Sequence, residues 1–403
     1  MDTHEQVTAA RHSVSGHSPT DSFLGYPRDA GRAGTRNYIG VFIAGNCAAT
    51  AARLVARHFT SRRLAAYPNV DGVLAFIHEL GCGMEKSGEP MDLLRRTVGG
   101  TVRNPNLAGS VIMALGCERN NIYGLLEQEK LVAGPLLKTV VLQEVGGTAA
   151  AVEQGIAAVQ AMLPLANAVP RQPVPVSELV LGLQTIDVDA ADHHARQALG
   201  AAVDLLVAQG GTAIVSATTR NASALAAKAS APRTADALAQ RVHWWHGYSA
   251  GRDVRSVRSE TARDTDVSYM GGQDLQEVCA YAVPARSRGV VMMDSPGYEA
   301  MSVTGQVAAG ATLVCLLTSA ESALGANGAP TVRLAASHGL FARSPEEMDL
   351  DCSEAASGAM PVSEVGRTIY ESWLHHASGI ATSAENLGLG EGEFVPWPIG
   401  VIA

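Results

Sequence analysis

The sequence predicts an α/β protein of two domains, each built on a mostly parallel β-sheet with helices on both faces. Short apolar runs alternate with helical patterns along most of the 403 residues, as in repeated βαβ units. The apolar runs are continuous rather than alternating, which is typical of strands buried on both faces. Four of the runs end in Cys, His, Asn, Gln or Glu. Since ligands of open α/β sheets bind at the carboxyl ends of the strands, these residues predict one composite site there.

The first predicted domain covers residues 23–168 and follows a polar tail at 1–22 that is expected to be disordered. Strand and helix patterns alternate regularly through it. The predicted strands are 37–43, 73–77, 111–115 and 139–143, and the predicted helices are 48–59, 90–98, 122–129 and 148–163. This order predicts a Rossmann-like domain of three layers.

The second predicted domain covers residues 169–403 and begins within a linker. Segment 165–175 contains three prolines and little periodicity, which predicts that linker. A helix is expected at 198–208 and an aromatic helix around 242–245, within a less regular region. The predicted strands are 179–183, 212–216, 289–293 and 312–317.

Composition and charge disfavour several classes of function. The net charge of -9 argues against a nucleic-acid or anionic-membrane partner, which would require a clustered basic surface. The sequence has no signal-peptide pattern, and no window approaches the roughly 20 apolar residues of a membrane span. It also has no P-loop, H-E-x-x-H or G-x-S-x-G motif. The six cysteines are widely spaced without a C-x-x-C pattern, so we expect reduced thiols and a cytoplasmic protein.

Two cysteines carry the clearest chemical signal. Cys82 and Cys117 each follow a glycine at a predicted strand end, and His78 and Glu118 lie beside them in sequence. Two thiolates and an imidazole suit iron or zinc. The alternatives are a nucleophilic cysteine, which needs a basic partner, and a small buried apolar residue.

The other strand-end residues suit acid–base chemistry or substrate binding. His78 is either a core histidine or, next to Glu118 or Glu144, a general base or metal ligand. Asn46 and Asn121 suit hydrogen bonds to a polyhydroxylated substrate, but they equally suit turns and helix caps.

Two further segments are predicted to complete the site. Gln143 and Glu144 precede Gly-Gly-Thr148 at the start of a helix, where a carboxylate can bind and Thr148 can act as the N-cap. Ser302 and Thr304 follow a strand of the second domain and are expected on a second rim of the same cleft.

From about residue 23 onward, these motifs resemble the large catalytic module of the altronate and galactarate dehydratases. The large subunit of sulfolactate sulfo-lyase is also similar to that module. The matching stretches occur in order: 29–37 (DAGRAGTRN), 46–47 (NC), 67–73 (YPNVDGV), 78 with 81–84 (GCGM), 115–118 (LGCE), 143–148, 179–184 (LVLGLQ), 294–298, 302–307 and 393–396.

The resemblance implies metal-dependent β-elimination of water from an aldonate or aldarate, giving a 2-keto-3-deoxy acid. The implied cofactor is a divalent metal, with iron preferred, held by Cys82, Cys117 and His78. The implied catalytic residues are His78, Glu118 and Glu144. The implied substrate-binding residues are Asn46, Asn121, Gln143, Thr148, Ser302 and Thr304. The small amino-terminal module of many relatives is missing, so a separate small subunit is an expected partner, and a homo-oligomer is also expected.

The second half of the sequence departs from the family pattern. The family has a Cys-Gly-Gly-Ser-Asp stretch where residues 185–189 read TIDVD, and a Glu where Ala217 stands. Residues 319–322 and 325–327 replace stretches in which the family carries an Arg and a Lys. Residues 252–270 have no clear counterpart of the family's Gly/Lys-rich stretch.

These departures leave two interpretations open. The chain is either a divergent lyase with a changed substrate or metal set, such as one acting on a sulfolactate-like 2-hydroxy acid, or a catalytically impaired paralogue. In the second case it holds no metal and acts as a ligand-binding or partner subunit.

Overall fold

A computed structural model of the chain describes residues 21–29, 32–186, 188, 192–217, 222–250 and 266–399. The predicted tail at 1–22 lies almost wholly outside the described residues. The same holds for 252–265 and for residues 187 and 189 of the altered stretch at 185–189.

Strands occur along the whole described chain. They are β1 Ser22–Pro27, β2 Ala33–Gly34, β3 Tyr38–Ile43, β4 Gly72–Phe76, β5 Leu107–Ala114, β6 Leu137–Val141, β7 Gln172–Pro175, β8 Val180–Ile186, β9 Thr212–Ala217, β10 Leu275–Cys279, β11 Gly289–Asp294, β12 Leu313–Thr318, β13 Thr331–Ala335 and β14 Leu350–Asp351.

Helices separate most of these strands. They are α1 Ala49–His58, α2 Ser61–Leu64, α3 Glu89–Val102, α4 Ile122–Gln128, α5 Leu142–Val145, α6 Thr148–Asn167, α7 His193–Ala208, α8 Ala222–Ala227, α9 Pro232–Ser249, α10 Glu299–Ala308, α11 His338–Arg343, α12 Ser353–Ser357, α13 Val362–Ala377 and α14 Ser383–Asn386.

Two parallel sheets form the framework. The first has four strands in the order β4-β3-β5-β6, and the second has seven in the order β10-β11-β9-β8-β12-β13-β14. Every recorded pairing in both sheets is parallel. The α/β prediction with Rossmann-like parallel sheets is therefore confirmed.

Both faces of the four-stranded sheet are buried, and alternate side chains of each strand pack on opposite faces. Val41 and Val111 lie in a core cluster with residues of α1 and α6. Phe42 and Ile112, one position further along, lie in a second cluster with Leu94 of α3 and residues of α4. Because successive side chains of a strand point to opposite faces, two covered faces require the continuous apolar runs seen in the sequence.

The predicted linker at 165–175 is wrong, because most of it is regular structure. Helix α6 continues through Pro164 to Asn167, and β7 pairs antiparallel with β1 in a small sheet of order β2-β1-β7. β7 is at the edge of that sheet. Prolines are tolerated there because an edge strand has no neighbour on one side, so an absent N–H group on that side breaks no inter-strand hydrogen bond. The prolines suggested a linker although they mark an edge strand. The domain division at residue 168 stays a prediction.

Helix α6 is long and apolar enough to cross a membrane by length and composition alone. This differs from the expectation that no segment approaches a membrane span. Its residues Ala151, Gly155, Val159 and Met162 are buried, and Ala151, Val159 and Met162 belong to the core cluster that covers the four-stranded sheet. This packing accounts for the apolar residues on the buried face of the helix.

Candidate functional site

The carboxyl ends of both large sheets open toward the same side of the molecule. Each sheet has a helix that starts at its carboxyl edge and runs back along the strands, α3 in the first sheet and α10 in the second. The final turns of these helices meet: Asn104, just after α3, donates to the carbonyls of Val307 and Ala311 at 2.8 and 2.9 Å. Leu93 near the start of α3 packs in the same cluster as Met301 of α10. The helices therefore run parallel, so the carboxyl edges of the two sheets, which we call the first and second rims, lie on the same side of the molecule.

A pair of thiols lies at the first rim. The Sγ atoms of Cys47, after β3, and Cys82, after β4, are 3.7 Å apart. Cys47 is exposed and Cys82 is half-buried. Burial, the neighbouring Cys47 thiol and the negative charge of Glu118 together raise the pKa of the Cys82 thiol. The sequence predicted Cys117 rather than Cys47 as the partner of Cys82.

Glycines permit this close approach. Gly81 has a φ of +104°, and a Cβ added there would lie 2.4 Å from the carbonyl oxygen of Ala44. At Gly45 an added Cβ would lie 2.7 Å from Cγ of Glu118 and 3.4 Å from Sγ of Cys82. Residues 44–45 therefore form the contact surface between the Cys82 loop and Glu118, and both glycines are required for space.

Replacing Gly81 with alanine is expected to destabilise the protein by about 2–3 kcal/mol, since it combines a disfavoured φ with a backbone clash. Chemical denaturation measures the loss. Gly83→Ala is the matched control, because a Cβ at Gly83 would meet no atom within 4 Å. Equal stability of the two variants would show that the Cys82 loop does not need this close contact.

Glu118 lies next to the thiol pair, at the end of β5. Its carboxylate accepts hydrogen bonds from the backbone N–H groups of Leu115 and Gly116, the latter at 2.8 Å, and only 7% of the residue is exposed. Asn120 joins the loops by donating to the Ala44 carbonyl at 2.9 Å and accepting from Arg95 at 3.0 Å. Glu118 is thus a fixed carboxylate beside Cys82, whereas the buried Asn120 side chain is already used in structural contacts.

The thiol pair fits a metal in part. A tetrahedral site with metal–sulfur bonds of about 2.3 Å has sulfur atoms roughly 3.8 Å apart, close to the observed separation. The same separation is also an ordinary contact between two thiols, so it permits a metal without requiring one. Among the described residues, no group of three or more His, Cys, Asp or Glu side chains is arranged to hold a metal ion. Cys82, Cys117 and His78 therefore do not form one cluster here, and a metal at the thiol pair would need further ligands from outside these side chains.

His78 is buried, and both of its ring nitrogens contact backbone groups. Nε2 lies 3.1 Å from the carbonyl oxygen of Ile43, and Nδ1 accepts from the Leu80 N–H at 3.2 Å. The ring also lies 6.1 Å from that of Phe394. This arrangement suits a neutral histidine that joins β3 to the Cys82 loop. Its role as base or metal ligand stays a prediction, and it would require release of one of these backbone contacts.

The burial of His78 predicts an acid-sensitive fold. Burial lowers the pKa of His78 to about 4 from its ordinary value near 6.5. The unfolded chain therefore binds more protons between these values, so the folded state loses stability as the pH falls from about 6.5 toward 4, by up to about 3 kcal/mol. His78→Gln is expected to flatten the slope of unfolding free energy against pH between 7 and 5. The exposed His243→Gln is the control, and an unchanged slope in His78→Gln would contradict this account.

Most of the predicted substrate-binding residues of the first sheet lie around this rim. Asn46 donates to the Glu79 carboxylate, and Asn121 is the N-cap of α4, accepting from the N–H groups of Tyr123 and Gly124. The Glu144 carboxylate accepts from the Tyr123 hydroxyl at 2.9 Å and raises its pKa.

The end of β6 also differs in detail from the prediction. The strand ends at Val141, and Gln143 and Glu144 lie on the short helix α5, where both are exposed. The expectation that Thr148 caps α6 is wrong, because Gly147 is the N-cap and Thr148 is the first helical residue. Glycine with a φ of +108° makes the turn between α5 and α6 that a Thr cap would not allow. Thr148 is exposed and its substrate-binding role stays a prediction.

Ser302 and Thr304 lie on α10 at the second rim, and both are buried. The Ser302 and Ser295 hydroxyl oxygens are 2.5 Å apart. The Thr304 hydroxyl donates to the Glu393 carbonyl at 3.2 Å and accepts from the Val395 N–H at 3.0 Å. Thr304 therefore anchors the segment that carries Phe394 to His78. This segment connects the two rims.

A cavity of about 540 Å³ lies away from both rims. It runs along the outer edge of β4 and is lined by Arg36, Tyr38, Asp71 and Glu385, among others. Arg36 forms an ion pair with Glu385 at 2.7 Å. Glu385 also accepts from the Tyr38 hydroxyl at 3.0 Å, so three of the polar side chains that line this cavity are already paired with each other, and the strand-end residues remain the better candidate site.

Comparison with known proteins gives consistent matches along the chain. Residues 25–167 match the second domain of the D-galactarate dehydratase/altronate hydrolase family, and residues 267–402 match the carboxyl-terminal domain of the D-galactarate/altronate dehydratases. The chain is 28% identical to the galactarate dehydratase (L-threo-forming) of Escherichia coli over 387 residues, covering 89% of this chain and 73% of that protein.

Two further relatives are similar over comparable lengths. The altronate dehydratase of Bacillus subtilis is 23% identical over 375 residues, covering 89% of this chain and 74% of the relative. The (2R)-sulfolactate sulfo-lyase subunit beta of Chromohalobacter salexigens is 26% identical over 390 residues, covering 91% of this chain and 95% of the relative. The described thiol pair and Glu118 lie within the first matched domain.

Proposed function

The chain belongs to the D-galactarate dehydratase/altronate hydrolase family, and on this premise we propose that it removes water from an aldonate or aldarate by β-elimination, giving a 2-keto-3-deoxy acid. Family and relatives together support a sugar-acid dehydratase or a related lyase. The carrying observation is the cluster of Cys47, Cys82 and Glu118, which places two thiols and a fixed carboxylate at one sheet edge.

The elimination requires one proton to leave carbon and one hydroxyl group to leave its neighbour. We assign the first step to Glu118, which accepts the proton alpha to the substrate carboxylate. The electron pair forms the carbon–carbon double bond. The β hydroxyl takes up a proton, returned by the protonated Glu118 or supplied by solvent, and departs as water, and the enol product tautomerises to the 2-keto acid. Glu144 is the alternative carboxylate, since it is exposed at the end of the neighbouring strand.

We further propose that Cys47 and Cys82 hold a divalent metal, with iron preferred. When bound, such a cation stabilises the enolate-like charge and assists departure of the hydroxyl group. Burial, the Cys47 thiol and the Glu118 charge raise the pKa of the Cys82 thiol, and the negative charge of Glu118 would attract a cation to this position. Cys117, exposed after β5, and the buried His78 are the other ligands predicted from the sequence, and both lie outside this thiol pair.

A lyase acting on a sulfolactate-like 2-hydroxy acid is a second candidate. The observation that favours it is the match over 95% of a relative named as a subunit beta, which also supports a separate small partner subunit for this chain. A cytoplasmic location and a homo-oligomer complete the proposal, the first consistent with six free cysteines.

Anaerobic purification followed by elemental analysis and a substrate screen tests these proposals. Aldonates, aldarates and sulfolactate are incubated with the full chain, with and without a candidate small subunit, and 2-keto acid and sulfite are measured. Stoichiometric metal with 2-keto acid formation supports the dehydratase, and sulfite release supports the second candidate. Absence of metal and of turnover with every partner would instead indicate a non-catalytic paralogue.

A further inference from the structure

The two central strands of the seven-stranded sheet part before they end. Among the residues that the structure describes, β8 pairs with β9 from Val180–Thr212 to Leu183–Val215. Beyond that point β8 continues along β12 as far as Ile186, while β9 continues along β11 as far as Ala217. A fork therefore opens at the carboxyl edge, in the middle of the sheet, where α/β proteins bind ligands.

Polar side chains from three elements converge on one face of this fork. Gln184 points to the same face as Gly182 on β8, and Ser216 to the same face as Ile214 on β9, because alternate residues share a face. Helix α10 covers this face, since Gln306 Nε2 donates to the Leu183 and Ile214 carbonyls at 3.1 and 2.8 Å.

Ser302 completes the group from the edge side of α10. A Cβ added at Gly182 would lie 2.8 Å from Gln306 Oε1, so the Gln306 side chain lies beside Gly182 of β8. Helix α10 starts at the carboxyl edge, so Ser302, one turn before Gln306, lies further toward that edge, at the level of Gln184 and Ser216.

Three polar atoms in the fork have no hydrogen-bond partner within the described part of the chain. They are Gln184 Nε2, Ser216 Oγ and Gln306 Oε1. Gln184 is 7% exposed and Gln306 is fully buried, whereas Ser216 is half-buried. Buried polar groups in native proteins are almost always paired, so this group is suited to a ligand that supplies the missing hydrogen-bond partners.

The types of these atoms limit the ligand. An amide N–H donor, an amide oxygen acceptor and serine hydroxyls offer both donors and acceptors without a formal charge. A hydroxyl group both donates and accepts, so it matches the set, whereas a carboxylate would leave the Gln306 oxygen unpaired. We propose that the fork of Gln184, Ser216, Ser302 and Gln306 binds the hydroxyl groups of a polyhydroxylated ligand.

The claim that this ligand is a sugar acid rests on the proposed function. The claim that the fork binds hydroxyl groups does not. Because the carboxyl edges of the two sheets lie on the same side of the molecule, a sugar acid whose reacting carbons lie at the first rim would direct its remaining hydroxyls toward the second. The fork would thus select hydroxylated acids over simple acids of equal length.

Calorimetric titration of the full-length protein tests the proposal without turnover. Galactarate and D-gluconate are the hydroxylated probes, and adipate has the chain length and charge of galactarate without its hydroxyls. We expect at least one hydroxylated probe to bind at least about tenfold more tightly than adipate. Gln184→Leu is expected to weaken that binding by about tenfold or more, as for one lost hydrogen-bonding group. Its thermal midpoint without ligand is expected to be equal or higher, because an unpaired buried amide is removed.

Ser216→Ala is the second variant, in case Gln184→Leu does not fold, and the exposed Gln154→Leu is the matched control. Unchanged affinity in both fork variants, or failure of both hydroxylated probes to bind better than adipate, overturns the proposal. Binding that depends on the fork without any metal or turnover would count against the proposed lyase function alone, so the two failures are distinguishable.

Discussion

The double variant Cys47→Ser with Cys82→Ser is expected to lose metal affinity by at least about 100-fold, since even changes outside the first coordination shell cost 10–100-fold. The physical reason is the 3.7 Å separation of the two sulfur atoms, which a single divalent ion can bridge. Serine keeps the size of the side chain but replaces a soft thiolate with a hydroxyl that binds iron or zinc poorly. Elemental analysis after anaerobic purification and buffered metal titration measure the effect.

Two single variants separate this ligand set from the one predicted from the sequence. Cys117→Ser and His78→Gln both leave the thiol pair intact. Each of these variants is therefore expected to retain the metal. If Cys117→Ser or His78→Gln loses the metal while the double variant at residues 47 and 82 retains it, the thiol pair is not the metal site. The buried Cys315→Ser controls for general loss of a thiol.

The sequence predicted three of the four strand ends of the first sheet to within one residue, β6 being the exception, but not which residues meet there. Cys82 and Cys117 have the same local pattern, a glycine before a cysteine after a buried strand. In the sheet, however, β3 lies between β4 and β5, so the two cysteines end strands that are separated by a third. Neighbouring strands are about 4.8 Å apart, which places Cys82 next to Cys47 of the middle strand. Strand order depends on long-range packing that local patterns do not contain. The one available signal was Cys47 itself, at the end of the first strand.

Contacts with residues distant in sequence explain why the surroundings of His78 and Thr304 could not be predicted. The sequence around His78 gives no indication that Phe394, more than 300 residues later, packs beside its ring. Nor does it show that the Ile43 carbonyl and the Leu80 N–H use both nitrogens. Similarly, Thr304 matched a family motif, but its hydroxyl is used by residues 393 and 395. Polar residues in motifs thus include those that hold the two rims together as well as those that face the cleft.

Glu118→Gln is expected to lower kcat for sugar-acid dehydration by about 100- to 10,000-fold, the range for loss of a general base. An amide is not a base. It also cannot replace the carboxylate geometry, because both oxygens accept backbone N–H groups from residues 115 and 116, and the amide NH2 would face one of these donors. Some loss of stability is therefore expected as well. Exchange of the substrate α-proton in deuterated water, followed by NMR, separates the base function from this structural effect, because it reports proton removal even when water is not expelled.

Glu144→Gln is the matched control for this prediction. Glu144 is also at the carboxyl edge of the sheet, but its carboxylate is exposed and bonded to the Tyr123 hydroxyl. If Glu118 is the base, Glu144→Gln keeps α-proton exchange and most of kcat, while Glu118→Gln loses both and retains the metal. The reverse pattern would assign the base to Glu144 and leave Glu118 as the residue that positions the Cys82 loop. A variant of Glu118 that loses metal together with exchange would point to the same positioning role, because the Glu118 Cγ methylene and the Cys82 sulfur both pack against Gly45.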